Sequence, residues 1–207
     1  MPELDGTQQA QNAIEQTQGS AKQRVLDAAE EQFMAQGYTS VTLRDVADAL
    51  SMKQASLYYH FPGGKEELFV AVAERAFARH QSGMQRAIDA APPDLRSRLH
   101  AVASWFDSQP PLNLMGMMYA DMPALHQTAR IRLGESAYHA MFTPLRTIFQ
   151  AAQRAGETRN THPDLLAGFF LTLMDSLTHA VGRVGAPPRR TMIDEIVTMM
   201  LDGISIK

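Results

Sequence analysis

The sequence has no cysteine among its 207 residues, so disulfide bonds and thiolate metal sites are excluded. Such an absence is typical of a reducing compartment, and we expect a cytoplasmic protein. The first twenty residues, MPELDGTQQAQNAIEQTQGS, have neither a basic nor an apolar segment and do not resemble a signal peptide. No run approaches the roughly 18 apolar residues of a membrane span, so we expect no membrane partner.

Recognisable catalytic motifs are also missing. The sequence has no Gly-rich phosphate loop, no HExxH and no GxSxG. The seven histidines are scattered, and none is paired with acids at metal-ligand spacing. His162 and Asp164 are close, but helix capping explains the aspartate. We therefore expect no enzyme, no catalytic residue, no metal site and no cofactor.

The composition favours a folded protein of one large or two small domains, with 45% hydrophobic and 20% charged residues. No segment alternates with period two over the length of a strand, which predicts an all-α fold of about nine helices. Residues 1–19 are predicted to form a flexible tail. Residues 20–65 are predicted to form a first domain of three helices, and residues 66–207 a second domain, a helical bundle.

Helix boundaries follow from capping and breaking residues. Ser20 to Gln23 reads as a capping box that starts the first helix, and Gly37 is expected to end it in the left-handed conformation. Thr42 is expected to cap the second helix, with Asp45 in its first turn. Later helices are expected at about 94–109, 121–133, 134–155, 162–184 and 189–203. Their separators are Pro110-Pro111, Gly134 and the segments AGETRNTHP and GAPP.

Four ring-bearing residues in a row, Tyr58-Tyr59-His60-Phe61, lie near the end of a short helix predicted over 53–60. Successive helical side chains are about 100° apart, so these four cannot all reach one core. At least one phenol and the imidazole are expected to face outward. Packing of one tyrosine into the core is the alternative interpretation.

Two short helices joined by a tight turn at Ser51-Met52, braced by a preceding helix, form a helix-turn-helix. The third helix would then enter a DNA major groove, with Lys53, Gln54 and Ala55 toward base edges. Phosphate contacts are expected from Ser56, Tyr58, Tyr59, His60 and Lys65. Thr42 and Arg44 would flank from the second helix, with Arg44 reaching a guanine or a phosphate. The net charge is −3, but residues 51–65 carry only cations, so the attraction must be local.

The segments RVLDAAEEQFMAQGYTSVTLRDVADAL and LYYHFPGGKEEL, within residues 20–69, resemble the N-terminal domain of the TetR family of transcriptional regulators. The resemblance implies a homodimer on palindromic double-stranded DNA, usually a repressor. It also implies that residues 20–65 form a helix-turn-helix DNA-binding domain, and that residues 66–207 form a helical domain for dimerisation and for binding a small effector that releases the DNA. Two positions depart from the family pattern. Ser51 replaces the usual turn glycine, which requires a strained left-handed residue or a different turn. Lys53 replaces the usual Ser or Thr cap.

Methionines and aromatic residues are dense in the middle helices, and Met suits a binding surface of adaptable shape. LMGMMYADM, 114–122, is the preferred cavity wall, whereas His126 could orient a polar ligand group or be an ordinary helix histidine. An ordinary helical core is the alternative for each residue. The predicted ligand-binding residues are Trp105, Phe106, Met115, Met118, Tyr119, Met122, His126, Tyr138, Phe142 and Met174.

The helices near 162–184 and 189–203 are apolar on more than one face and therefore need to bury two faces. A two-fold four-helix interface would bury the second face, and a larger monomeric core is the alternative. For function, the alternative is a helix-turn-helix DNA binder without a small-molecule effector. The sequence does not decide between repressor and activator.

Overall fold

The computed structural model of the protein describes residues 6–109, 116–180, 185 and 187–205. Over these residues the chain forms nine α-helices and no β-strand, apart from an isolated bridge between Thr158 and Ser205. The all-α prediction is therefore confirmed. The helices are α1 Gly6–Ser40, α2 Leu43–Ala49, α3 Gln54–His60, α4 Gly64–Ala90, α5 Leu95–Asp107, α6 Gln127–Ala137, α7 Thr143–Arg154, α8 Pro163–Ala180 and α9 Arg189–Ile204.

Residue contacts divide the chain into two compact units, Met1–Ala73 and Glu74–Lys207. The first unit contains α1 to α3 and the start of α4. The second contains the rest of α4 and the later helices. The predicted functional division, with DNA binding before residue 66 and effector binding after it, stays a prediction.

The first helix is longer than the sequence predicts, because α1 begins at Gly6. Ser20 lies inside α1, so the predicted capping box does not start the helix. The residues before Ser20 are rich in Gln, which is compatible with a helix. Residues 1–5 lie outside the described residues, and flexibility of the tail stays a prediction. At Gly37 the helical path breaks with φ 77° and ψ 166°; the φ is positive as predicted, but ψ is extended.

The helix-turn-helix starts as predicted. Thr42 occupies the N-cap of α2 in an extended conformation, and it forms a reciprocal capping box with Asp45. Leu43, Val46 and Ala47 are buried beneath α2. The Gln32 side chain of α1 donates to the Asp45 carbonyl at 3.1 Å, which ties the bracing helix to α2.

Ser51 lies in the turn between α2 and α3 with φ 54°, the left-handed region that glycine adopts at little cost. The two alternatives for this position are thus resolved in favour of a left-handed serine. The turn is closed by the Ser51 N–H donating to Asp48 and the Met52 N–H donating to Ala47, both at 3.0 Å.

Replacing Ser51 with Gly is expected to raise the free energy of unfolding of this domain by up to about 1 kcal/mol. Glycine adopts the left-handed conformation without the steric strain that the Cβ atom of serine causes there. Ser56→Gly, the same exchange in the first turn of α3, is the matched control and should lower it by a similar amount. Chemical denaturation followed by circular dichroism measures both. Stabilisation by both changes, or by neither, would contradict strain at Ser51.

The second unit differs from the sequence expectation around Gly134. This glycine lies within α6 and does not break it, because an exposed glycine inside a helix costs only about 1 kcal/mol. The division between α6 and α7 is instead a π-helical turn, Tyr138–Phe142. A second π-helical turn, Met117–Asp121, and a 3-10 turn, Met122–Ala124, replace the start of the helix predicted at 121. Pro110-Pro111 and residues 181–184 lie outside the described residues.

Candidate functional site

The third helix is held by two buried side chains and presents the rest of its surface outward. Leu57 and Phe61 are both almost completely buried. Tyr59 is 69% exposed and Tyr58 47% exposed, while His60 is half-buried with its ring 5.2 Å from that of Tyr59. The prediction that at least one phenol faces outward is therefore confirmed, most clearly by Tyr59. Tyr58, with about half of its surface covered, also fits the alternative that one tyrosine packs partly against the core.

The N-terminal part of α3 is open in the same way. Lys53, Gln54, Ala55 and Ser56 are all exposed. Lys53 lies at the N-cap, and in this part of the described chain its side chain makes no capping hydrogen bond, as the replacement of Ser or Thr predicts. These four residues form one continuous exposed edge at the helix start.

Thr42 and Arg44, on the second helix, are exposed as well. The Thr42 hydroxyl accepts from the Asp45 N–H at 3.2 Å, and Asp45 Oδ2 accepts from the Thr42 hydroxyl and N–H at 2.7 Å each. The hydrogen bond from the Thr42 side chain, then that from its backbone, lowers the pKa of Asp45. The resulting stabilisation of the helix start is present above the ordinary pKa of aspartate and is lost as the pH falls through the lowered one.

Two cationic side chains near the exposed residues of α2 and α3, Arg44 and Lys65, have partners within the domain. Arg44 Nε lies 3.7 Å from Asp48 Oδ2, one helical turn away, in an exposed pair that is worth little. Lys65 Nζ lies 4.3 Å from the centroid of the Tyr38 ring and 3.4 Å from the Thr39 carbonyl oxygen. Lys65 therefore braces the last residues of α1, after the break in that helix.

In the second unit a cavity of about 260 Å³ opens beside the two π-helical turns. The turn at Met117–Asp121 contributes Met117, Met118 and Tyr119 to its wall, and the other turn contributes Met141 and Phe142. Both π-helical turns thus line one space. Such turns are rare in proteins and are frequent at functional sites.

One face of α8 completes the wall, with Gly168, Leu171, Thr172 and Asp175 at helical spacing, next to Ala137 of α6. A Cβ atom at Gly168 would lie 3.3 Å from the Phe142 ring, so the glycine lets this ring approach α8 closely. Asp175 is only 8% exposed although it lines the cavity. A buried carboxylate in a largely apolar wall gives this cavity a distinct polarity.

The structure brings three of the predicted ligand-binding residues to this cavity: Met118, Tyr119 and Phe142. Met115 lies outside the described residues. Six others are not among the residues that line it, and their ligand-binding role stays a prediction: Trp105, Phe106, Met122, His126, Tyr138 and Met174.

These six have other surroundings. Phe106 stacks on the buried His80 ring at 5.3 Å, and Trp105 meets the same ring edge-on at 6.2 Å. The Tyr138 hydroxyl lies 3.3 Å from the Asp164 carboxylate and accepts from Arg146 at 3.1 Å. Three remain: His126 is exposed at the N-cap of α6, Met122 is half-buried in the 3-10 turn, and Met174 is buried.

Sequence reasoning missed the α8 side of the cavity. Thr172 and Asp175 are polar residues within the apolar run GFFLTLMDSL, and they lie three positions apart on one helical face. That interruption was the available signal. These two residues were missed because the run was interpreted by its apolar faces, one toward its own subunit and one toward a partner, and only Met174 of this run was chosen as a ligand-binding residue.

The helices predicted to form the dimer interface carry large apolar side chains on the surface. Leu165 and Phe169 of α8 lie one helical turn apart and are 65% and 51% exposed, and Met199 of α9 is also exposed. Thr172 and Ser176 continue the same exposed stripe of α8. A stripe of exposed aromatic and aliphatic side chains at helical spacing is typical of a surface that is buried against a partner.

Neither a membrane-spanning helix nor a metal-binding cluster is present among the residues that the structure describes. None of those helices has the length and apolar character to cross a membrane. Within the same residues, no group of three or more His, Asp or Glu side chains is placed to hold a metal ion.

Comparison with known proteins gives an independent view of the N-terminal unit. Residues 25–72 match the family model of bacterial regulatory proteins of the tetR family. The HTH-type transcriptional regulator LmrA of Bacillus subtilis is 40% identical over 52 residues, 25% of this chain and 28% of that protein. The negative transcriptional regulator IcaR of the biofilm operon in Staphylococcus epidermidis is 38% identical over 56 residues, 27% of this chain and 30% of that protein. The matches thus span less than a third of these relatives.

The fold as a whole is similar to solved structures. A regulatory protein of the tetR family from Rhodococcus RHA1 has a TM-score of 0.71 at 18% identity, over 90% of this chain and 98% of that one. A transcriptional regulator from Saccharomonospora viridis, solved in complex with choline, has a TM-score of 0.71 at 22% identity, over 91% and 100%. Together these matches confirm the resemblance to the TetR family and its arrangement of a helix-turn-helix domain followed by a helical domain.

Proposed function

We propose that this protein is a homodimeric, sequence-specific DNA-binding transcriptional regulator that acts as a repressor and leaves a palindromic operator when a small, largely apolar effector binds. The carrying observation is the open surface of α3, on which Gln54, Tyr58 and Tyr59 are exposed while Leu57 is buried. A helix anchored on one side and polar on the other can enter a major groove without losing its packing.

In this proposal the exposed residues divide into two groups. Lys53, Gln54 and Ala55, at the start of α3, read base edges, since an amide pairs with adenine and a methyl group contacts thymine. The second group holds phosphates and fixes the register of the domain. It comprises Ser56, Tyr58, Tyr59, His60 and Lys65, with Thr42 and Arg44 on α2.

The cavity of the second unit supports the effector part of the proposal. It is bounded by two π-helical turns and α8, and its wall is rich in methionine, which adapts to different ligand shapes. The choline complex of the Saccharomonospora protein is a precedent for a small molecule on a chain of this fold. An effector lowers operator affinity only if it binds the conformation that does not fit DNA more tightly.

Dimerisation is supported by the exposed apolar residues of α8 and α9, which a two-fold four-helix interface would cover. A dimer places two recognition helices about 34–36 Å apart, one turn of DNA. IcaR is named as a negative regulator, which favours repression for this chain.

Selection of DNA from a random pool by the purified chain tests the DNA-binding part directly. We expect an inverted repeat whose half-sites are centred about one helical turn apart. A selected motif without symmetry would contradict the dimer, and no enrichment at all would contradict sequence-specific binding. The selection is then repeated in the presence of compounds, from an apolar library, that bind the protein. Loss of DNA enrichment indicates a regulator released by an effector, whereas unchanged enrichment indicates a helix-turn-helix protein without one.

Gln54→Ala is expected to change the DNA sequence preference rather than the overall affinity for DNA. The loss of discrimination should be about 1–3 kcal/mol of binding free energy at one base pair of each half-site and small at the others, because only that base edge loses its partner. Fluorescence anisotropy against a panel of single-base operator variants measures the profile. A uniform loss over every variant operator would contradict base readout by Gln54.

Lys65→Ala is expected to weaken binding to specific and random DNA alike and to reduce the salt slope of log K by about one, because one phosphate contact is lost. Lys22→Ala is the control, since Lys22 is an exposed cation of the same domain outside the proposed contact set. If Lys65 only braces Tyr38 and Thr39, its variant will lower thermal stability and leave the salt slope unchanged.

A further inference from the structure

The polarity of the cavity in the second unit carries information about its ligand. Three methionines, an aliphatic side chain and the Phe142 ring make most of the wall apolar. Asp175 is the sole carboxylate among the described residues that line the cavity, and those residues include no basic side chain. The wall therefore combines an apolar surface with a single negative group.

Asp175 lies on the cavity side of α8, where Thr172 and Leu171 also line the space. A carboxylate is costly to bury in apolar surroundings unless charges or hydrogen-bond donors compensate it. Asp175 already interacts with the protein. Its two oxygens offer about four acceptor positions, so Asp175 can bind a ligand in addition to its partner within the protein.

The carboxylate of Asp175 favours a positively charged ligand, and other lining groups do the same. Aromatic faces attract cations, and the wall includes the rings of Phe142 and Tyr119. Tyr119 and Met118 are strongly exposed although they line the cavity, so they lie at its open side. An anionic ligand would instead meet the Asp175 carboxylate, with no base among the described lining residues to balance it.

We propose that this cavity selects small organic cations with an apolar body, such as amines or quaternary ammonium compounds, with the charge toward Asp175. Its volume of about 260 Å³ is close to the lower end of the range for ligand pockets, which favours a compact ligand over a long chain. The apolar part of the ligand contacts Met117, Met141 and Leu171. This inference rests on the proposed effector role of the cavity and names the chemical class of the effector.

The test uses two probes of nearly the same shape, phenyltrimethylammonium and its uncharged isostere tert-butylbenzene, with the full chain in the absence of DNA. Methionine residues are labelled with 13C in their methyl groups and observed by NMR. We expect phenyltrimethylammonium to shift the signals of Met117, Met118 and Met141. It should leave that of Met199 on α9 unchanged, because Met199 does not line the cavity. Its affinity should exceed that of tert-butylbenzene by on the order of tenfold.

Asp175→Asn keeps the shape of the side chain and removes its charge. It should lower the affinity for phenyltrimethylammonium by on the order of tenfold and leave that for tert-butylbenzene unchanged. Asp202→Asn, an exposed aspartate of α9 outside the cavity, is the matched control and should change neither affinity. If Asp175→Asn does not fold, the comparison of the two probes on the unchanged protein still decides the proposal.

Equal affinities for the two probes, or an Asp175→Asn protein that binds the cation as well as the original, would overturn cation selection. Absence of any shift at Met117, Met118 and Met141 with either probe would overturn it too. Selection of DNA from a random pool is independent of this experiment. A palindromic motif obtained there would keep the regulatory function while the cation proposal fails.

Discussion

Phe169→Asp is expected to convert the proposed dimer to monomers and to lower affinity for the proposed palindromic operator by on the order of 10²–10⁴-fold. The exposed Phe169 side chain of α8 belongs to the proposed two-fold interface, where a buried, unpaired carboxylate would be strongly unfavourable. Loss of the dimer removes the advantage of binding two half-sites at once, and that advantage has this magnitude. Analytical ultracentrifugation and anisotropy with a two-half-site operator measure the two effects.

Ile131→Asp is the matched control for this prediction. Ile131 is an exposed aliphatic residue of α6, with 55% of its surface accessible, and it lies outside the proposed interface. The control protein should stay dimeric and bind the operator normally. Single half-site DNA gives a second check, because the Phe169→Asp monomer should bind it about as well as one protomer of the unchanged protein. A dimeric Phe169→Asp protein would show that α8 does not form the interface.

Leu57→Ala is expected to lower the free energy of unfolding of the N-terminal unit by about 2–5 kcal/mol. Leu57 is completely buried beneath α3, so its removal loses apolar burial and leaves a cavity. Because the second unit has its own core, its helices should keep their protection. Native-state hydrogen exchange distinguishes the two units, and thermal unfolding gives the overall effect.

Tyr59→Ala, two residues along the same helix, supplies the contrast. Tyr59 is mostly exposed, so its replacement should change stability by no more than about 0.5 kcal/mol. The same substitution should weaken binding to all DNA sequences, since a phosphate contact carries no sequence information. A large loss of stability from Tyr59→Ala would contradict the assignment of its ring to the DNA-facing side.

Local sequence signals predicted much of the first unit. The Thr42 cap, the burial of Leu57 and the outward tyrosines all depend on neighbours within a few positions, and each is observed. Ser51 is a different case, since the sequence left two turn conformations open and the structure showed that the left-handed one is adopted. The start of α1 was mispredicted, because a good capping sequence at Ser20 does not prevent a helix from continuing through it.

The cavity of the second unit was predicted only in part. Methionine-rich composition drew attention to 114–122, and Met118 and Tyr119 do line the cavity. The same reasoning chose Trp105 and Phe106, which contact His80 on α4 instead. Composition cannot separate these cases, because apolar side chains follow the same pattern whether they fill a core or line a space.

The sequence by itself determined the helical class, the helix-turn-helix and the outward side of α3, because these depend on periodicity, caps and turns over short distances along the chain. Only the tertiary structure decided that two π-helical turns and one face of α8 enclose a common cavity, and that Asp175 lies in its wall. The physical reason is that a cavity is the space left between elements far apart in sequence. Its position depends on how their side chains pack, and no local pattern specifies that packing.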